Sequence, residues 1–252
     1  MHRIYIFRKN TMKKIALFVE GETESYFVQR LIEEIARRDS VTFTTFKGFG
    51  GKKAPRVFTS LGQSVALNEQ YRVDIYISSA DNRVNQDIKD HIRKLKTSGF
   101  DFIVGLRDVR GQKNGGAPIT LADLPYLESA NARLFASESN VFSLLAVMEI
   151  ETWFISEVDH FQRISSNLTE ILIKANIPLI GVDLYNDDLT QINEPAETLN
   201  KIYNLIGESY DKSKVKRERT IDALDMANMY LLSTQRLVKF KELVDVIDSF
   251  LS

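Results

Sequence analysis

The sequence predicts an α/β protein built on a mostly parallel, three-layer sheet with a C-terminal helical region. Three observations predict it. Short apolar runs alternate with longer stretches of helical periodicity as far as Ser156. Several of those runs end at glycine or at an acidic residue, and beyond Ser156 only helical patterns continue.

The elements follow in order. Residues 15–19 are an unbroken apolar run, as expected of a strand covered on both faces. Gly21 ends it, and Gly21 or Thr23 can start a helix to about Arg38, with Val28, Leu31, Ile32 and Ile35 on one stripe. Residues 41–46 alternate and are rich in threonine and aromatics, so a second strand is expected there. Residues 47–55, with Gly48, Gly50, Gly51, Lys52 and Lys53, read as a flexible basic loop, and a helix is expected over about 57–67. A strand over 73–78, a helix over 84–97 and a buried strand over 102–106 come next, the last ending at Arg107-Asp108.

Residues 110–118 are glycine-rich and read as a loop. Over 133–154 two readings stand: a strand at 142–147 feeding a helix from about Ile150, which is favoured, or one continuous helix. Helices are then expected at 160–175, 196–208, 221–232 and 236–251, the last with Phe240, Leu243, Val244, Ile247 and Leu251 on one face. The expected division is an α/β core over 1–157 and a helical region packed on it over 158–252. Met12-Lys13-Lys14 reads as a start just before the first strand, leaving the residues ahead of it as an upstream extension or as an extra edge strand around residues 4–7.

Composition narrows the chemistry. A chain of 252 residues, 44% hydrophobic and 27% charged, has the make-up of a packed globule rather than of a disordered segment. The net charge of −1 means that a polyanion must be held by a local basic patch or through metal ions. The absence of cysteine removes disulfides, thiolate zinc sites and thiol nucleophiles. Three histidines, His2, His91 and His160, argue against a multi-histidine metal site. Carboxylate, lysine and arginine chemistry remains. No apolar run approaches the roughly 20 residues that span a bilayer, and the N-terminus lacks signal-peptide features, so a cytoplasmic protein without membrane contact is expected.

The acidic strand ends carry the functional signal. Glu20 follows the first apolar run, where ligands bind in open α/β sheets, and Glu24 lies one helical turn on, able to point back to the same space. The alternative for Glu22 and Glu24 is that they favour a helix N-terminus through its dipole. Asp108 also ends a buried run, where it can equally cap a turn. Glu149 and Glu151 follow a further apolar run; as a strand end both can join the rim, but on one helix they stand roughly 200° apart. Converging carboxylates repel unless a cation neutralises them, and hard oxygen ligands suit Mg²⁺ or Mn²⁺. Trp153 reads as core rather than as a base-stacking platform.

Val19-Glu20-Gly21-Glu22-Thr23-Glu24, with the later Asp108, resembles the Toprim superfamily of topoisomerases, primases and nucleases, closest to its nuclease branch. The chain also resembles an uncharacterised Toprim-related prokaryotic family, through Glu149-Ile150-Glu151-Thr152-Trp153, Pro195, Tyr210/Lys212 and Phe240/Leu243. The resemblance spans about residues 13–250 and implies a Toprim-like, Rossmann-like fold and a Mg²⁺-dependent nuclease of nucleic acid, in phage defence or mobile-element conflict. It implies that Glu20 is the general acid/base or metal-adjacent glutamate, Glu24 a further ligand, and Asp108 the first acid of a D-x-D motif. Arg110 stands where the second aspartate belongs, so Glu149 or Glu151 completes the site, or the chain is a one-metal or silent variant.

Arg110 can clamp a phosphate oxygen or pair with Asp108 at the surface. Electrophilic help is expected from Lys212 or Lys214, within a basic run at 211–219 that is either a solvated helix face or a phosphate-binding wall. Lys52 is a second backbone-contact candidate. Two alternatives accompany the nuclease: a catalytically degenerate module that senses a ligand or docks a partner ATPase, and a small-phosphoester hydrolase.

Overall fold

Among the described residues of the computed structural model (12–51, 54–79, 83–109 and 119–252), six strands form one sheet in the order β3-β2-β4-β1-β5-β6. The first elements are β1 (Lys13–Val19), α1 (Glu22–Ala36), β2 (Val41–Phe49), β3 (Val57–Ser64) and β4 (Tyr71–Ile77). They are followed by α2 (Val84–Thr97), β5 (Phe102–Asp108), α3 (Leu124–Leu134) and β6 (Val141–Ala146). All neighbours pair parallel except β2 and β3, so the expected mostly parallel α/β sheet is present.

The continuous apolar run of β1 follows from burial on both faces. Ile15, Leu17 and Val19 enter one core, while Ala16 and Phe18 enter the other. The second core holds Val84 and Ile88 of α2, and Phe18 stacks on Tyr76 at 4.6 Å within it. Gly105 lets α2 approach β5: an added Cβ would meet Ile88 Cδ1 at 2.7 Å.

The helix expected over 57–67 is instead the strand β3. Gly50 and Gly51, with φ of 79° and 102°, reverse the chain, and Val57 pairs with Phe49 in antiparallel register. The segment pairs along its length with β2 instead of packing a helical face on a core, and Val57 and Leu61 are exposed on the sheet edge. The loop expected from residue 47 correspondingly starts later, because β2 continues through Phe49. Of the two readings for 133–154, strand then helix is the one adopted, and α3 is an additional element for which no helix was expected. Residues 4–7, Lys52 and the loop at 110–118 with Arg110 lie outside the described residues.

The C-terminal region is more broken than periodicity predicts. It contains α4 (Glu151–Ser156), α5 (His160–Ile164), α6 (Glu170–Ala175), α7 (Ile177–Ile180) and α8 (Pro195–Asn204). Then come α9 (Lys214–Ala223), α10 (Met226–Asn228), a π-helical turn at Met229–Ser233, α11 (Thr234–Arg236) and α12 (Val238–Leu251). The helix expected over 160–175 is split, and Thr169 starts the second piece by accepting from the Leu172 amide at 3.2 Å. The one expected over 221–232 is also split, with Asp225 accepting from the Asn228 amide at 2.9 Å.

These helices complete the first core. Phe27 of α1 packs on Trp153 and Phe154 of α4 and on Phe240 of α12, with centroids 5.3–6.1 Å apart. Trp153 is 1% exposed, a core residue as expected.

The connections set a functional place. β1 leads through α1, on the first core's face, toward β2 on one side of it. Its neighbour β5 leads through α3, whose Leu134 packs on the second core, to β6 on the other side. The chain thus departs in opposite directions from the carboxyl ends of β1 and β5, and a crevice opens there.

Candidate active site

Glu20 and Asp108 meet at that crevice. Val19 pairs with Leu106, so the two acids leave neighbouring strands, and the Asp108 amide donates to Glu20 Oε1 at 3.2 Å. Glu24 stands in the first turn of α1, where its Oε2 accepts from the Gly21 amide at 2.8 Å. It therefore does what the helix-start alternative holds, and it also faces the cluster.

Glu149 and Glu151 arrive through a strained turn: Met148 has φ of 60°, in the left-handed region that a side chain disfavours. Glu149 precedes α4 and Glu151 lies in its first turn, and Lys212 bridges them at 3.1 and 3.4 Å. Glu149 Oε2 also accepts from the Ala196 amide at the start of α8, at 3.1 Å, and Glu151 Oε1 accepts from the Tyr210 hydroxyl at 2.8 Å.

These groups share one electrostatic field. Burial, then Glu24, Glu20 and Glu151, push the Asp108 carboxyl well above its ordinary range, with Lys212 opposing. Burial raises Glu24 as well. Burial lifts Glu151 to about 7, against the pull of Lys212. For Lys212, burial alone would pull the ammonium down, but Glu151, Glu149, Asp108 and Glu24 outweigh it and hold it above its usual value.

Among the described residues, two buried carboxylate oxygens, Asp108 Oδ1 and Glu151 Oε2, have no hydrogen-bond partner. An unsatisfied buried acceptor costs about 1–3 kcal/mol, so the cluster has capacity for a further donor or cation. Among the described residues, no group of three or more histidine, aspartate or glutamate side chains is arranged to hold a metal ion. Glu149 and Glu151, expected as ligands, already have Lys212 between them. Mg²⁺ is commonly bound through only one or two carboxylates plus waters and substrate phosphates, and the pair Glu20 and Asp108 fits that smaller donor set.

The family described as Domain of unknown function (DUF4276) matches residues 19–239, a span holding every one of these acids and Lys212. The chain belongs to this family. Among solved structures, a candidate cell surface hydrolase from Lactobacillus plantarum WCFS1 is 17% identical, with a TM-score of 0.26. That match covers 54% of this chain and 53% of the other, about half the length of each. No curated protein matches.

The remaining residues of this DUF4276 chain sort by partner. In the basic run, Arg217 reaches across to Glu22 at 2.6 Å, and Lys47 binds the same carboxylate at 2.7 Å. Lys216 pairs with Asp211 and Arg219 with Glu208, while Lys214 is exposed at the start of α9. Of this run, Lys212 reaches the carboxylate cluster, while Arg217, Lys216 and Arg219 bind acids apart from it. His160 is a core residue: its Nδ1 meets the Glu157 carbonyl at 2.5 Å, and burial pushes its imidazole down to about 4. Sequence reasoning did not single out Arg107, whose Nε lies 4.0 Å from Glu20 Oε1. The signal available was its place beside Asp108 at a strand end.

The raised Glu151 carboxyl gives the DUF4276 fold a defined pH response. Its folded value of about 7 exceeds the ordinary 4.5, so the folded state holds this proton more tightly. Stability from that source is present below about pH 4.5 and is lost as pH rises through 7, by about 3 kcal/mol. His160 acts oppositely, costing stability as pH falls from about 6.5 toward 4. Metal-free melts between pH 6.5 and 8 are therefore expected to show a falling Tm that Glu151→Gln flattens. An unchanged slope in the variant would remove Glu151 as its source.

Proposed function

We propose that the chain is a Toprim-like, Mg²⁺- or Mn²⁺-dependent enzyme that hydrolyses phosphodiester bonds of nucleic acid. The observation that carries this is the Glu20–Asp108 hydrogen bond at the sheet's switch point, beside the unpartnered Asp108 Oδ1. Glu20 and Asp108 would hold the ion, with Glu24 beside them. The bound ion would polarise a phosphoryl oxygen and stabilise the leaving oxygen. Glu20 moves the proton, taking it from the attacking water or returning it to the leaving oxygen as the new P–O bond forms and the ester bond breaks. Lys212 supports the charge growing on the phosphoryl oxygens, and Glu149, Glu151 and Tyr210 position it.

We place this chemistry in a prokaryotic cytoplasm, in a defence or mobile-element setting. Among the described residues no helix is long and apolar enough to cross a membrane. A second reading, a catalytically silent module that docks a partner such as an ATPase, is favoured by the Lys212 bridge that already neutralises two carboxylates.

One experiment separates the two. Purified protein is titrated with Mn²⁺ by calorimetry and incubated with DNA, RNA and small phosphoesters. Saturable ion binding with nucleic-acid cleavage supports the enzyme. Neither binding nor cleavage leaves the docking module.

A further inference from the structure

Beside the carboxylates, the rim toward α2 is cationic. By strand alternation Arg107 shares the face of Gly105, which lies against Val84 and Ile88 at the start of α2. Arg107 is two residues nearer the carboxyl rim, and so stands by that helix's N-terminal end. Among the described residues no hydrogen bond holds its guanidinium, and its Nε is buried without a partner.

Arg83 immediately precedes α2. Its Nη2 donates to Asp87 at 3.2 Å while its Nε is buried and unpartnered. Arg56 grips the same carboxylate at 3.1 and 2.7 Å and donates to the Ser78 carbonyl at 2.6 Å. Two guanidiniums thus share one fully buried carboxylate, which leaves positive charge in excess.

Ser78, just past β4, is 1% exposed, and its Oγ has no partner. It alternates onto the face of Tyr76, the face that α2 covers. The next residue, Ser79, has φ of 58°, and its amide donates to the Glu20 carbonyl at 2.9 Å. The rim here is strained and joined to the candidate centre.

Arg30, Arg217 and Arg219 also have an unpartnered Nε. In each of them, however, a terminal nitrogen meets a carboxylate, from Glu33, Glu22 and Glu208 respectively. For Arg107 the carboxylate contact among the described residues is Glu20 Oε1, 4.0 Å from Nε and too far for a hydrogen bond. A guanidinium only donates, and unpaired donors gathered at a helix N-terminus call for an anion with several acceptor oxygens.

We infer that Arg107, Arg83 and Ser78, at the N-terminal end of α2, form a phosphate subsite that holds the strand phosphate adjacent to the one cleaved. This rests on the nucleic-acid reading given above. The subsite's Arg107 abuts Glu20, so a strand held there passes over the carboxylate crevice. Phosphate binding here needs no divalent ion.

The test uses metal-free protein in EDTA, with inorganic phosphate as one probe and a single-stranded oligonucleotide as the other. Phosphate is expected to raise the Tm of the wild type and of Glu20→Gln alike. Arg83→Gln and Arg107→Gln are each expected to weaken phosphate binding at least about tenfold. Each is also expected to reduce the log–log salt slope of oligonucleotide binding by about 0.7. Arg83→Gln leaves the Arg56–Asp87 pair in place, and Arg107→Gln removes no hydrogen bond, so both variants should fold. A wild-type Tm indifferent to phosphate, or both variants binding phosphate as the wild type does, overturns the subsite. Phosphate binding lost in both variants, in a protein that cleaves no nucleic acid, upholds the subsite and sinks only the nuclease.

Discussion

For the phosphodiesterase we propose, Glu20→Gln is expected to lower metal-dependent cleavage of nucleic acid on the order of 10³-fold while leaving the fold intact. Glutamine keeps the acceptor oxygen that the Asp108 amide uses at 3.2 Å, so the β1–β5 junction retains its hydrogen bond. What disappears is the negative charge and with it the capacity to take a proton or hold a cation. Because Glu20 also helps to push the Asp108 carboxyl upward, its neutralisation relieves Asp108, and the melting temperature should stay level or rise. Cleavage rates under Mn²⁺ and a thermal melt together check this. A variant that cleaves within tenfold of the wild type would take Glu20 out of the chemistry.

Lys212→Met is expected to damage both stability and cleavage. The ammonium sits between Glu149 and Glu151, both almost fully buried, while its own side chain is half-exposed. Removing one partner from a buried pair costs about 3–5 kcal/mol; solvent at Lys212 reduces this toward about 2–3 kcal/mol. For a chain of this size that is a Tm lower by about 5–10 °C.

The loss should be larger at pH 8 than at pH 6, because Glu151 can take up a proton at the lower pH and quiet the repulsion. Cleavage should fall on the order of 10²-fold or more, as when one charge-stabilising donor is removed. Lys212→Arg, which keeps the charge, should recover most of the Tm and less of the rate. Equal melting of Lys212→Met and wild type at pH 8 would show that the lysine is not the counter-charge of these acids.

How far the site could be read from sequence depended on how its residues reach it. Glu20 and Asp108 stand at the ends of apolar runs, and the position of a strand end in a parallel sheet follows from local pattern alone. Lys212 is different: its partners lie 61 and 63 positions earlier, and only the path of α8 and α9 brings it to them. In isolation its surroundings resemble a solvated basic run. Arg83 carried no pattern and Arg107 only its place beside Asp108, because their significance comes from donors left unpaired in three dimensions.

The fold divides similarly. Elements with a clear period and buried faces, such as β1, α1 and α2, were legible. The strand β3 was not, because its residues face solvent on a sheet edge and burial imposes no alternation on them. The C-terminal helices were legible as helical but not as short pieces, since Thr169 and Asp225 start new turns inside one continuous apolar pattern.

The single core shared by Phe27, Trp153, Phe154 and Phe240 has a practical corollary. The segment after Ser156 cannot be trimmed off as a dispensable tail to obtain a minimal α/β domain. Excision would strip the roof from one side of the sheet, bare the Phe27 side of α1 to water, and withdraw Lys212 from between Glu149 and Glu151. Engineering of this scaffold has to begin from the whole chain.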